Sequence, residues 1–236
     1  MSSQVTEPSP ASEATELRPT FSWLGAWKAA LTQPSVATYT DLLLDPRMSL
    51  RRAVAWLVTC SLIANLVGIL LLATVFPSTL TELAFDASQT GPQGFQTTPS
   101  MLLVFSLACV PFMAMMFVAT SLLGYALLHF IASALGSQGS YTELVYAHAA
   151  YLAPLTFLTT LLGMFPVVNC LTLPLGLYSL GLQLMALKAS ARMTWGRVIA
   201  VMGVVALLII LVAAVGALVW MSPEVQNWMA ESGVTA

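Results

Sequence analysis

Charge is what this sequence has least of. Of 236 residues only 8% are charged, against 58% hydrophobic. Soluble domains carry about 25% charge, so the side chains needed to coat a water-facing surface are missing. They are also missing in blocks: no Asp, Glu, Lys or Arg occurs in 53–81, 87–142, 144–187 or 198–223. A soluble domain with an apolar core would thin its charges without clearing stretches of that length, and such stretches read as membrane spans. A basic tract is absent too, which excludes nucleic acid as a partner. Cys60, Cys109 and Cys170 form no CxxC pair, so neither a metal centre nor a disulfide framework is indicated. There is no GxSxG, no HExxH, no phosphate-binding glycine loop and no aspartate pair within a span, and no cofactor is implied.

What is present is hydrophobic sequence cut into lengths. Residues 1–20 are polar, with Glu7, Glu13, Glu16 and three prolines, and read as a short disordered tail, not a signal peptide. The first span then acts as an uncleaved targeting signal. Residues 21–52 form a cytoplasmic or interfacial segment. In it Phe21, Trp23, Leu24, Trp27 and Leu31 recur at three- and four-residue spacing up to Pro34. That pattern suits a helix lying in the interface, or one packed on the membrane domain itself. A second short segment, 37–45, ends at Asp45-Pro46.

The membrane domain, 53–221, is expected to hold five spans, making the fold an all-α polytopic helix bundle. The first, Ala53–Phe76, covers about 36 Å, enough for roughly 30 Å of hydrocarbon. Pro77 closes it and a polar loop fills 78–100. The block Met101–Leu135 is too long for one simple crossing and too short for two. One tilted helix bent near Pro111, with the end around His129 projecting, resolves this. Span three runs Leu144–Met164, span four Cys170–Leu187 and span five Val198–Val219, followed by a short tail, 222–236. Ala147, Ala149, Ala150 and Ala153, Gly176 and Gly181, and Gly203 with Ala206 are small residues that allow close helix approach.

Five spans also sort the basic residues. Arg18, Lys28, Arg47, Arg51 and Arg52 precede span one, and Lys188, Arg192 and Arg197 lie between spans four and five. All eight then share one side, which the positive-inside rule makes cytoplasmic. The N-terminus is expected in the cytoplasm and the C-terminus outside the cell membrane.

The remaining polar groups gather near one level. His129 ends span two, while Glu143, Tyr146, His148 and Tyr151 occupy the first turns of span three, with Pro154 inside it. Tyr151 is three residues from His148, so the two share a helix face. Glu143 can cap its helix by favouring the dipole and accepting backbone N–H groups, and His148 can bond a neighbouring helix or a tyrosine hydroxyl. The same cluster would serve as a substrate path or a partner-docking site, since ionisable groups at membrane depth are functional suspects.

These residues resemble a family. Trp27-Lys28-Ala29-Ala30-Leu31-Thr32-Gln33-Pro34 is similar to the opening of the Yip1-domain membrane proteins, bacterial branch. The resemblance is strongest at Leu135-Gly136-Ser137-Gln138-Gly139-Ser140-Tyr141-Thr142-Glu143-Leu144, a glycine turn leading to Ala150-Tyr151 and Pro154. It departs where Gly136-Ser137 replaces a paired glycine, and it covers about 27–217. The resemblance implies five spans, a cytoplasmic N-terminus and partner binding. Eukaryotic relatives are associated with vesicle traffic and prenylated GTPases, a role not carried over to this chain.

Three functions follow as expectations. The first is a non-enzymatic scaffold or adaptor that binds membrane lipids, another membrane protein or a second copy of itself. The second is a small transporter, which would need Ser121, Tyr125, Thr156 and Thr159 on one wet cavity and would use helices broken at Pro154 and Pro174. The third is an intramembrane enzyme, which would need His129, Glu143 and His148 to converge on one pocket.

Overall fold

A computed structural model of the chain describes residues 20–90, 98–163, 165, 169–225 and 227. The proposed disordered tail, the connection at 166–168 and most of the C-terminal tail lie outside the described residues. What is described is helical, with no strand among the described residues.

Hydroxyl caps start the first helices. Ser22 Oγ accepts from Gly25 N at 3.0 Å to open α1, Trp23–Thr32, and Ser35 Oγ accepts from Thr38 N at 3.0 Å to open α2, Val36–Leu43. Ser49 Oγ does the same for Arg52 N at the head of α3, Leu50–Thr74. Each cap satisfies a backbone donor that the helix leaves unpaired.

The polar loop expected at 78–100 is, in its first part, a helix. α4 runs Pro77–Thr90, with Leu80 and Ala84 buried one turn apart against α3 and α5. Pro77, expected to close the first span, instead opens this helix. A proline is equally at home at the first helical position, where its missing N–H costs nothing.

α5 is one helix, Pro99–Ala134, containing Pro111. At about 54 Å it exceeds the hydrocarbon thickness, in line with the single tilted span expected. α6, Tyr141–Gly163, follows. A 3-10 turn at Asn169–Leu171 leads into α7, Thr172–Ala191, and α8 is Trp195–Trp220. Four helices, α3, α5, α6 and α8, are long and apolar enough to cross a membrane. α7 falls outside that set because Pro174, Tyr178, Ser179, Gln183 and Lys188 dilute it, so the expected count of five is not reached by this measure.

α6 is the axis of the molecule. It is buried continuously from Leu144 to Tyr151, and again at Ala153 and Leu155, with α3 and α7 against it. The alanines at 147, 149, 150 and 153 permit this, as expected, since small side chains let backbones approach. Gly176, Gly181 and Gly203 do not act this way: a Cβ on any of them would meet nothing within 4 Å, and Ala206 is exposed.

The rings of Trp56 and Tyr146 lie 4.9 Å apart, so α3 and α6 begin at the same end. Gln138 N donates to Ala191 O at 3.2 Å, so α5 and α7 finish there and α8 begins there. α8 is buried only at Val198 and Val201, with Leu207, Ile209, Leu211, Val212 and Leu218 outward. Water would not tolerate an apolar surface of that extent; lipid does.

α1 and α2 form a hairpin against the bundle. Ala26, Ala30, Tyr39 and Leu42 are fully buried, and the Tyr178 hydroxyl donates to the Leu31 carbonyl. Ala26 and Ala30 of this segment face the chain's own helices, Trp23 lies edge-on to Trp56 at 6.2 Å, and Leu24 is exposed.

A candidate docking face at one end of the bundle

The end where α3, α6 and α8 begin carries two polar joints. The first is the turn between α5 and α6. Gly136 has φ 86°, a left-handed geometry that suits glycine. At Gly139 a Cβ would lie 1.7 Å from Ser190 O, so only a residue without a side chain lets the turn reach α7. Ser137 Oγ donates to Ala191 O at 3.2 Å alongside the Gln138 amide, so one carbonyl at the end of α7 takes two donors.

Ser140 and Glu143 then close a capping box. Glu143 N donates to Ser140 Oγ at 3.2 Å and Ser140 N donates to Glu143 Oε2 at 2.7 Å. The other carboxylate oxygen accepts from Arg192 Nη2 at 2.7 Å. Arg192 itself ends α7 in left-handed geometry, φ 54°. The expected capping role of Glu143 is present in this geometry, with a cross-helix ion pair added.

The second joint ties the hairpin to α3. Asp45, 2% exposed, accepts from Arg52 Nη1 at 3.0 Å and Phe21 N at 3.2 Å through Oδ2, and from Arg47 N at 2.9 Å through Oδ1. Arg52 Nη2 donates to Phe21 O at 2.6 Å, and its guanidinium lies 5.1 Å from the Trp56 ring and 5.9 Å from that of Tyr146. Both ends of the helical hairpin, Phe21 before α1 and Asp45 after α2, are thus fastened to one arginine. A buried pair of this kind gains little net stability over well-packed apolar groups, but losing one partner leaves the other's charge uncompensated. Burial also raises the Tyr39 phenol above its usual titration range, which keeps it neutral inside the hairpin.

The candidate residues divide among these surroundings. His129 is half-buried and edge-on to Tyr141, rings 5.9 Å apart. Tyr146 is buried on Trp56. His148 is fully buried between Tyr125 and Tyr151, ring separations 5.1 and 5.8 Å, so it shares a face with Tyr151 as expected. Its Nδ1 lies 2.8 Å from its own helix's Leu144 O; the expected bond to a neighbouring helix or tyrosine hydroxyl is replaced by this local one and by ring packing. Tyr151 meets Tyr39 of the hairpin at 6.4 Å. Pro154 lines an apolar crevice of about 330 Å³ with Trp27, Cys60 and Phe157.

Glu143 turns to Arg192, His129 to Tyr141, and His148 into the core, so the three do not assemble as an acid–base site. Ser121 and Tyr125 line one crevice. Thr156 and Thr159 do not join them: their hydroxyls donate back to Leu152 O at 2.9 Å and Leu155 O at 3.0 Å. Asp45, Arg52, Trp56, Gly139 and Arg192 were missed as a group. Asp45 reads as a helix end and the arginines as members of a charge count; Glu143 at the head of its helix was the one legible signal.

A family model for the Yip1 domain matches residues 28–217. No curated protein and no solved structure matches the chain. The match opens inside α1 and closes inside α8, so it takes in the hairpin, the glycine turn and the apolar helices around them. This chain belongs to the Yip1 domain family and is a multi-pass membrane protein.

Proposed function

We propose that this protein is a non-enzymatic scaffold or adaptor of the cell membrane, binding a membrane protein or anionic lipid headgroups through the end described above. In this reading α7 is the fifth span, the N-terminus is cytoplasmic and the C-terminus outside. Support for α7 comes from its length, about 30 Å, and from its run antiparallel to α6. With α7 crossing, Arg47, Arg51 and Arg52 share a side with Lys188, Arg192 and Arg197, as the positive-inside rule asks.

The observation that carries the docking reading is the pairing of exposed cations with a pinned surface. Arg47, Arg51, Arg192 and Arg197 are exposed around an end held by the Gly139 and Asp45 joints. Preorganised positive charge suits acidic partners, because little ordering is lost on binding.

Gentle-detergent purification of the full chain from native membranes, with mass spectrometry of co-purifying proteins and lipids, tests this. Arg47→Glu, Arg51→Glu and Arg197→Glu together are expected to release a partner that the unaltered chain retains. Identical recovery from both would sink the docking reading.

A further inference from the structure

The helical hairpin of α1 and α2 stands upright beside the spans. Its base is at the charged rim, where Asp45 and Phe21 meet Arg52 in the first turn of α3. Its tip is deep. The Tyr178 hydroxyl donates to Leu31 O, and Tyr178 precedes the end of α7 at Ala191 by about 20 Å. Two further contacts agree. Tyr39 meets Tyr151, about 15 Å along α6 from Tyr141, and Trp27 lines a crevice with Pro154, about 20 Å along it. The turn at Gln33-Pro34-Ser35 thus comes near the middle of a hydrocarbon layer roughly 30 Å thick.

Hydrocarbon supplies no hydrogen-bond partners, so polar groups at that depth must be satisfied by the protein. The hairpin meets this demand. At the end of α1, Ala29 O accepts from Gln33 N at 3.1 Å, Ala30 O from the Tyr39 hydroxyl at 3.5 Å, and Leu31 O from Tyr178. Thr32 and Thr40 return their protons to Lys28 O and Val36 O, both at 2.8 Å. Thr38 donates to Gln33 O at 2.7 Å, which leaves Ser35 to donate to Thr38 Oγ1 at 2.8 Å. Every hydroxyl from Thr32 to Thr40 is therefore paired inside the protein, although Thr32, Ser35 and Thr40 are exposed. In water these groups could be left to the solvent.

Charge follows the same depth. No Asp, Glu, Lys or Arg occurs in 29–40. Lys28 and Asp41 flank that stretch, only about 10 Å from Phe21 and about 6 Å from Asp45, and a lysine stem of that depth reaches the headgroups. We propose that α1 and α2 form a re-entrant hairpin, which enters one leaflet, turns back at Pro34 near the midplane and presents its outer face to the acyl chains of that leaflet. Leu24, Ala37 and Leu44 are exposed on that face. A helix lying flat in the interface would keep Leu24 and Gln33 at one depth; the upright hairpin sets them about 14 Å apart. The docking arginines stand at the rim and take no part in this surface.

The test is electron paramagnetic resonance of the full chain in phospholipid liposomes, with spin labels on single cysteines in a background of Cys60→Ala, Cys109→Ala and Cys170→Ala. Labels at Leu24→Cys, Gln33→Cys and Ala37→Cys are compared with Leu207→Cys, outward on α8, and Thr194→Cys, exposed just before it. Relaxation by oxygen should rise, and relaxation by a water-soluble nickel chelate should fall, from Leu24 to Gln33. Gln33 and Ala37 should lose nickel contact to the level of Leu207. Size exclusion and the melting temperature report the fold of each variant. The unaltered chain gives a second readout in nanodiscs: phospholipid with a photoreactive diazirine at the end of one acyl chain should label the tryptic peptide 29–47. Nickel contact at Gln33 equal to that at Thr194, exclusion of both oxygen and nickel, or a peptide 29–47 left unlabelled would overturn the proposal.

Discussion

Gly139 and Ser190 come so close that a methyl group on the glycine would sit 1.7 Å from the serine carbonyl oxygen. The contact joins residues far apart in the chain, and it carries the α5–α6 turn onto the end of α7. The Ser137 and Gln138 bonds to Ala191 depend on that approach. Gly139→Ala is therefore expected to lower stability by about 2 kcal/mol or more, the range for steric overpacking. Gly176 has open space around it, and Gly176→Ala should be neutral or stabilising by about 0.5–1 kcal/mol through helix entropy. Thermal melts of both variants in one detergent decide it; equal effects would show the turn contact to be unimportant.

The Asp45–Arg52 joint gives a different pattern. Asp45→Ala leaves a mostly buried guanidinium without its counter-charge and should cost about 3–5 kcal/mol. Asp45→Leu combined with Arg52→Met should recover much of that loss, because well-packed apolar pairs often replace buried ion pairs without penalty. Limited proteolysis near Gln33-Pro34, the tip of the α1–α2 hairpin, would report its release in the single variant. A single variant as protease-resistant as the parent would contradict the role assigned to the pair.

Glu143 and Ser140 can be separated. Ser140→Ala removes the side-chain acceptor for Glu143 N and should cost about 1 kcal/mol. Glu143→Gln keeps an oxygen for Ser140 N and loses the charge and the acceptor facing Arg192, whose side chain is 60% exposed. Exposed pairs contribute between about 0 and 1 kcal/mol, so this variant should be the milder. Chemical denaturation at low and high salt checks the order; only the Glu143→Gln difference should shrink with salt.

The five-span reading predicts a labelling pattern. In a background with Cys60, Cys109 and Cys170 changed to alanine, cysteines are introduced singly at Thr194 and Ser222. An impermeant maleimide added to intact cells should label Ser222→Cys and spare Thr194→Cys, and permeabilised cells should label both. The reverse pattern would invert the orientation, and labelling of both in intact cells would remove one crossing.

The legible part of this fold was the part governed by local chemistry. Segments around α3, α5, α6 and α8 were visible because lipid demands long charge-free runs, and α5 as a single helix followed from the length of its run. The capping role of Glu143 was visible because an acidic side chain in the first turn of a helix meets its free N–H groups; its pairing with Ser140 was not. α4 was not, since Pro77 both ends and begins helices and the neighbours of Leu80 and Ala84 come from other segments. The small-residue pattern misled at Gly176, Gly181 and Gly203, because a small residue permits a close approach without requiring a neighbour to be there.

Sequence alone, then, determined that the chain lives in a membrane, where its apolar helices fall, and that its cations gather between the same segments, because solvation acts on each stretch independently of the rest. The tertiary structure alone decided that Asp45 meets Arg52, that Gly139 meets Ser190, that the hairpin packs on α6 and α7, and that Leu31 meets Tyr178. Those pairings depend on which helix faces which, and that is set by packing summed over the whole bundle and by no local run of residues.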